Sequence, residues 1–516
     1  MSRRQRTVSA VLILGLLALI LYTSLFTEDA RFRTLAKEEV YRKDDDSLLL
    51  WYTDESLTDY LETEALLFQG EHGVKLRTRL VSGVELLEQI NQASIYEGEE
   101  RDGEVLEAPD LYIISHDNLM KAYYSGLATQ INDADTAIIP ANYPNTAIQA
   151  VTCGGNAVAY PFYYETNFLL YNKTFMANIA KQKLEDETVY MESLADEEVP
   201  PEEETVAEIA EVSEEEVQEA VDALAAEEDQ DPMGEESATS DPAVLERLST
   251  MIPSTITDIT TFANNYEAPD TVEAVFKWDI TDVFYNYFFV GNYMDVGGLN
   301  GDDNTILNVY NQQAVDCMKV YQAMNQFFSI DQADVSYDAI LNEFIQGKLV
   351  FTVATTDAIA KMEQAKAEGE FTYDYGVAML PDVSTILKSR GMSVTNSIAV
   401  NGYSDQKELA TVIAHYLAYT KADNLYKKAG KIPCRKYISF DNDEIANVFE
   451  EYEKSVPLPK MVEATDYWVQ LEIAFGRVWN GEDPDIVLAE LADIIGSQID
   501  ELDYHVPVQE QVTVGL

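Results

Sequence analysis

Apolar and polar positions along residues 48–114 alternate in a strand–helix rhythm. Leu48-Leu49-Leu50-Trp51-Tyr52 is a compact apolar run that reads as a strand. Residues 57–69 place apolar side chains at helical spacing. In 74–81, Val74, Leu76, Thr78 and Leu80 alternate with Lys75, Arg77 and Arg79, which predicts a second strand. A helix over 84–93 and a third strand at Leu111-Tyr112-Ile113-Ile114 complete the unit. This order predicts an α/β layer on a parallel sheet. Ligands of such sheets sit beyond the carboxyl ends of the strands. The polar residues there are Thr53, Asp54 and Glu55, then Ser115, His116, Asp117 and Asn118.

Residues 159–173 form the most aromatic strand pattern of the chain. Tyr160, Phe162, Tyr163, Tyr164, Phe168 and Tyr171 surround one carboxylate, Glu165, and the run ends at Asn172-Lys173. Pro161 cannot donate to a ladder, so the strand is expected to enter its sheet just after it. Further on, 253–265 reads as the start of a helix, and 274–292 is dense in aromatics, Tyr285 among them. Helical spacing recurs at 313–328, 337–346, 407–420 and over most of 441–504. Short strands are expected at 347–353, 375–381 and 397–400.

Residues 184–246 break the rhythm, being rich in Asp and Glu with no Lys or Arg. They predict a solvated, disordered insertion. Inside it, Ser213 and Glu216 form a capping box, and Val217, Ala220, Val221 and Leu224 share one helix face.

Arg3, Arg4 and Arg6 precede an uncharged run from Thr7 to Phe26. At about 1.5 Å per residue this is about enough to span a bilayer core of roughly 30 Å. It predicts either an uncleaved membrane anchor or a cleaved signal peptide, with the body outside the cell. Residues 27–47 read as a polar stalk. The net charge is −58, from 34 Lys and Arg against 92 Asp and Glu. That balance excludes nucleic acid, whose phosphates need a basic patch. Cys153, Cys317 and Cys434 are too few for a disulfide framework, and their spacing fits no metal motif. Phosphate-binding loops, His-Glu-x-x-His and Gly-x-Ser-x-Gly do not occur. His116 could serve as a base, but no nucleophile accompanies it.

Six separated segments resemble, in order, the bacterial solute-binding proteins of the sugar type, the family that includes maltose-binding protein. Ala108-Pro109-Asp110-Leu111-Tyr112-Ile113-Ile114 with its following loop resembles the Pro-Asp strand, and Ser125-Gly126-Leu127-Ala128 the turn after it. The 159–173 run resembles the first strand that crosses the hinge. Phe344-Ile345-Gln346-Gly347-Lys348 and Tyr375-Gly376-Val377-Ala378-Met379-Leu380-Pro381 match two further elements. Tyr467-Trp468, followed by the 481–495 helix, resembles the C-terminal end.

The resemblance implies a two-lobed α/β fold of the periplasmic-binding-protein type, with discontinuous lobes joined by a hinge and a ligand cleft between them. The expected lobes are 48–162 with 354–402, and 163–353 with 403–505. It also implies an oligosaccharide receptor that delivers its ligand to the membrane subunits of an ABC importer, acting as a monomer, without cofactor and without catalysis. The ligand-binding residues implied are Asp54, Glu55, Asp117, Asn118, Glu165, Tyr285 and Trp468. Two departures point to a ligand other than maltose. The chain reads Ala354-Thr355-Thr356-Asp357 where those members carry a tryptophan, and Asn118 where they carry an arginine. A polyamine, peptide or metal chelate is the alternative ligand, and a membrane-anchored sensory protein the alternative role.

Overall fold

The computed structural model describes residues 47–101, 104–197, 238–328, 330–462 and 466–500. Residues 1–26 and the 213–224 helix face lie outside them. Strand β1 (Ser47–Tyr52) pairs in parallel with β2 (Lys75–Leu80) and with β3 (Leu111–Ser115). Helix α1 (Thr58–His72) connects β1 to β2 and buries Tyr60, Leu61, Ala65 and Phe68. Gly73 ends it in the left-handed conformation at φ 76°, which glycine adopts without strain. The strand–helix–strand expectation holds here, although Leu80 at the end of β2 and Leu66 and Leu67 on α1 are exposed.

One strand organises the rest. β4 (Tyr160–Asn172) is 13 residues long and buried along almost its whole length. The later strands are β5 (Ala274–Phe276), β6 (Leu349–Thr355), β7 (Tyr375–Ala378), β8 (Met392–Val400) and β9 (Val456–Pro457). The nine-stranded sheet runs β2-β1-β3-β8-β4-β6-β5, with β7 on β4 and β9 on β8. β8 pairs antiparallel with Tyr160–Thr166, the first half of β4. β6 and β7 pair antiparallel with the second half, from Asn167 to Asn172. The sheet is therefore mixed. Pro161 lies within the strand, contrary to expectation. Its partner is Ser397, where the register shifts after Asn396, so its missing N–H falls at an irregularity.

The pairing groups the chain differently from the expected lobe boundaries. β7 and helix α5 (Asp357–Glu368) follow β6 in the half built on the end of β4. Helices α6 (Lys407–His415) and α7 (Leu425–Ala429) belong to the other half. There the Tyr60 hydroxyl donates to the Leu417 carbonyl at 2.9 Å, and Asn424 donates to the buried Glu64 at 2.9 Å. Helix α8 (Glu444–Lys454) packs along β4, where Tyr452 stacks on Tyr164 at 3.8 Å. Helices α9 (Tyr467–Trp479) and α10 (Pro484–Asp500) pack on Gln312–Phe328, with Tyr321 edge-on to Phe475.

The acidic segment is ordered at both flanks, which corrects the expected disorder there. Helix Lys173–Glu197 carries β4 straight on past residue 184, and Pro242–Ser249 packs against it, with Arg247 2.5 Å from Glu187. Among the described residues no helix is long and apolar enough to cross a membrane. All three cysteines are buried free thiols.

Candidate ligand-binding cleft

β1 ends at Tyr52, and the chain turns at Asp54, the cap of a one-turn helix. Asp54 Oδ1 accepts from Ser56 N–H at 3.0 Å and from Ser56 Oγ at 2.7 Å. Its Oδ2 lies 2.8 Å from Lys431 Nζ. Burial opposes its charge, but the Lys431 and Ser56 bonds win and hold the carboxyl below its usual range.

Lys431 is placed by backbone pairing. Gly430 ends α7 in the left-handed region at φ 66°. The chain then runs beside β4, with Tyr164 N–H on the Ile432 carbonyl at 3.2 Å and Cys434 N–H on the Phe162 carbonyl at 2.9 Å. That register sets Lys431 over the Tyr163 ring, 5.4 Å from its centre, and 4.0 Å from Glu165. Burial raises the pKa of Glu165. Lys431 opposes the shift, and the charges of Asp357 and Asp54 add to it.

From the other half, β6 ends at Thr355 and α5 begins at Asp357. The Asp357 carboxylate accepts from Tyr337 Oη at 2.8 Å and from Thr355 Oγ1, and pairs with Lys361 at 2.8 Å. These bonds outweigh burial and keep it below its usual pKa. The Tyr337 ring stacks on Tyr285 at 5.0 Å and 22°, with Lys361 5.1 Å from its centre. The site thus joins Asp54 and Lys431 from one half, Glu165 from the crossing strand, and Asp357, Tyr337 and Tyr285 from the other.

No protein-family model and no curated protein matches this chain. Solved structures do. A cyclo/maltodextrin-binding protein complexed with maltotetraose aligns over 90% of this chain and 100% of its own, with a TM-score of 0.63 at 18% identity. The fold is that of the sugar-type solute-binding proteins. An extracellular solute-binding protein from Staphylococcus aureus in complex with maltose covers 89% of this chain and 99% of its own (TM-score 0.63, 16% identity). A Thermus thermophilus maltotriose-binding protein bound with maltotriose covers 88% and 99% (TM-score 0.57, 16% identity).

Within this solute-binding fold the expected residues divide. Asp54, Glu165 and Tyr285 come together around Lys431 and Asp357. Glu55 stands exposed beside Asp54. Asp117 and Asn118 pair with each other at 3.0 Å on the turn after β3, and among the described residues the buried Asp117 Oδ1 has no hydrogen-bond partner. Burial raises the Asp117 pKa. Trp468, half-buried at the start of α9, lies edge-on to Tyr287 at 5.7 Å. Among the described residues no hydrogen bond, ion pair or ring contact joins Asp117, Asn118 or Trp468 to the Lys431 cluster.

His116 is not free to act as a base. Its Nδ1 accepts from Thr395 N–H at 3.0 Å, and its Nε2 faces the Leu458 carbonyl at 3.1 Å. Burial pushes its pKa down to about 3, so the ring is neutral. Sequence reasoning missed Lys431, Asp357 and Tyr337. Asp357 had a usable signal, since Thr355-Thr356-Asp357 follows a buried strand where this sheet type binds ligands. Lys431 had none, because only its pairing beside β4 brings it in.

Proposed function

We propose that this protein is an extracellular receptor for an oligosaccharide, which it passes to the membrane subunits of an ABC importer when its lobes close. One observation carries the reading: the cluster of Asp54, Lys431, Glu165 and Asp357 draws on both halves of the sheet and on the strand that joins them. A ligand held there touches both halves at once, so it stabilises the state in which they meet. Planar carboxylates suit the paired hydroxyls of sugars, and tyrosine faces suit their C–H surfaces. The neighbouring structures contain maltose, maltotriose or maltotetraose, which supports this ligand class. In this proposal the 1–26 segment carries the body across the membrane. The protein binds without catalysing a reaction.

Three carboxylates against two lysines favour a second reading, a cationic ligand such as a polyamine. A thermal-shift screen separates the two. A ligand at 100 times its dissociation constant stabilises by about 2.7 kcal/mol. The proposal expects a shift with one class of oligosaccharide, weakened in Glu165→Gln and Tyr285→Ala, and recovery of the glycan unchanged. Stabilisation by polyamines alone moves the assignment to the second reading. Absence of any shift removes the receptor role.

A further inference from the structure

Behind the crossing strand lies a cavity of about 480 Å³ that the cleft does not use. Helix α8 forms one wall with Asn447, Glu451 and Lys454, and the chain between β7 and β8 supplies Leu380, Asp382 and Arg390. Tyr164 stacks on α8, whereas its neighbour Tyr163 lies under Lys431. Successive side chains of a strand point to opposite faces. The helix therefore sits on the far side of β4 from the Lys431 cluster.

Most charges of this cavity are engaged within the protein. Asp382 pairs with Lys388 at 2.7 Å and accepts from Ser389 N–H at 3.0 Å. Lys454 pairs with Glu450 at 2.8 Å. Two polar groups are left over, the Arg390 guanidinium and the Glu451 carboxyl. Among the described residues Arg390 has no carboxylate partner, and its guanidinium donates only to the carbonyls of Lys454 at 2.6 Å and Ser455 at 3.1 Å. Glu451 is 4% exposed, and its Oε2 accepts from Leu380 N–H at 3.1 Å. No hydrogen bond among the described residues reaches its Oε1. Gly391 keeps the space beside that oxygen open: a Cβ there would meet Leu380 Cδ1 at 2.9 Å and stand 3.6 Å from Glu451 Oε1. The same point is 3.7 Å from Oδ1 of Asn167, a wholly buried side chain whose amide has no partner among the described residues.

We propose that this cavity is a second binding site, for a small zwitterion of the amino-acid class. Its carboxylate meets Arg390 and its ammonium meets Glu451. An anion alone leaves the Glu451 carboxyl without a ligand partner, and a cation alone leaves Arg390 so; the ammonium of a zwitterion favours the ionised form of Glu451 while its carboxylate pairs with Arg390.

Met379 lines the cavity, so its methyl group reports on occupancy. The experiment titrates methyl-labelled protein with ω-amino acids from glycine to 6-aminohexanoate, following the Met379 resonance by NMR. The alkanoate and the alkylamine of matching length serve as controls. The expected result is a saturable Met379 shift with one chain length, much weaker for both controls and lost in Arg390→Gln. The remaining methionine resonances report whether that variant is folded. If it is not, Asn447→Trp, which fills the cavity from α8, takes its place and must also abolish the shift. No saturable shift with any member overturns the proposal. So does an equal response to the alkanoate or to the alkylamine, or a shift that survives in the folded variant.

Discussion

Glu451 makes the folded protein less stable as pH rises, and replacing it with glutamine should remove that dependence. Burial raises its carboxyl pKa to about 7. The Leu380 N–H and Lys454 oppose the shift, and Glu450 on the same helix and Asp382 on the facing chain reinforce it. The folded state therefore holds this proton over a window where the unfolded chain has lost it. Stability falls as pH climbs from about 4.5, the ordinary value for a glutamate, to about 7, then levels off. At about 1.4 kcal/mol per pKa unit, the ionised carboxylate costs about 3 kcal/mol above pH 7. Glu451→Gln keeps an acceptor for Leu380 and carries no charge at any pH. Urea unfolding of both proteins at pH 4 and pH 8 tests this. The variant should match the native protein at pH 4 and exceed it by about 2–3 kcal/mol at pH 8. A stability difference that does not change with pH, or a variant less stable at pH 8, refutes the buried-acid argument.

Lys460 predicts the opposite slope. Wholly buried, its ammonium donates to the carbonyls of Gln149 at 2.8 Å and of Asn300, and burial lowers its pKa to about 8. Unfolding takes up a proton between pH 8 and about 10.5, so stability rises across that window, and Lys460→Met should abolish the rise in urea titrations. His116 should show no imidazole titration by NMR between pH 5 and 8, and a midpoint near 6.5 would contradict its assigned bonds. His116→Ala should cost about 2–4 kcal/mol in denaturant unfolding, because it strands the Thr395 N–H and the Leu458 carbonyl in the interior. Gly402→Ala drives a methyl group into the Gly126 carbonyl oxygen, and the loss of melting temperature should exceed that from Gly70→Ala, which meets no atom within 4 Å.

The fold was legible wherever local spacing by itself marks an element. β1, α1, β2 and β3 form one compact unit, and their spacing alone predicts them. Legibility failed where distant pairing decides. The strand expected at 397–400 begins at Met392, because its first residues pair with Thr166 and Glu165 of β4 and with β9 rather than following any local alternation. How the chain groups into halves depends on the same distant pairing. β7 is four residues long, and only its ladder with Tyr171 and Asn172 assigns it to the half built on the end of β4. The candidate site divides along the same line. Asp54 and Glu165 were readable because they stand at a strand end and in an aromatic strand, positions that chemistry singles out. Lys431 was not, since nothing around Gly430-Lys431-Ile432-Pro433 suggests a site until the chain is laid beside β4.

In the proposed reading the same placement ties the site to the strand shared by both halves. β4 carries Glu165 at the junction of its two halves, one paired with β8 and the other with β6 and β7. Lys431 stands 2.8 Å from Asp54 and 4.0 Å from Glu165, so one cation serves two carboxylates. Of the two, Glu165 is the less well compensated, and its raised pKa records this. A ligand hydroxyl donated to Glu165 supplies what Lys431 gives only in part. The proposed interaction thus falls on a strand that is paired in both halves.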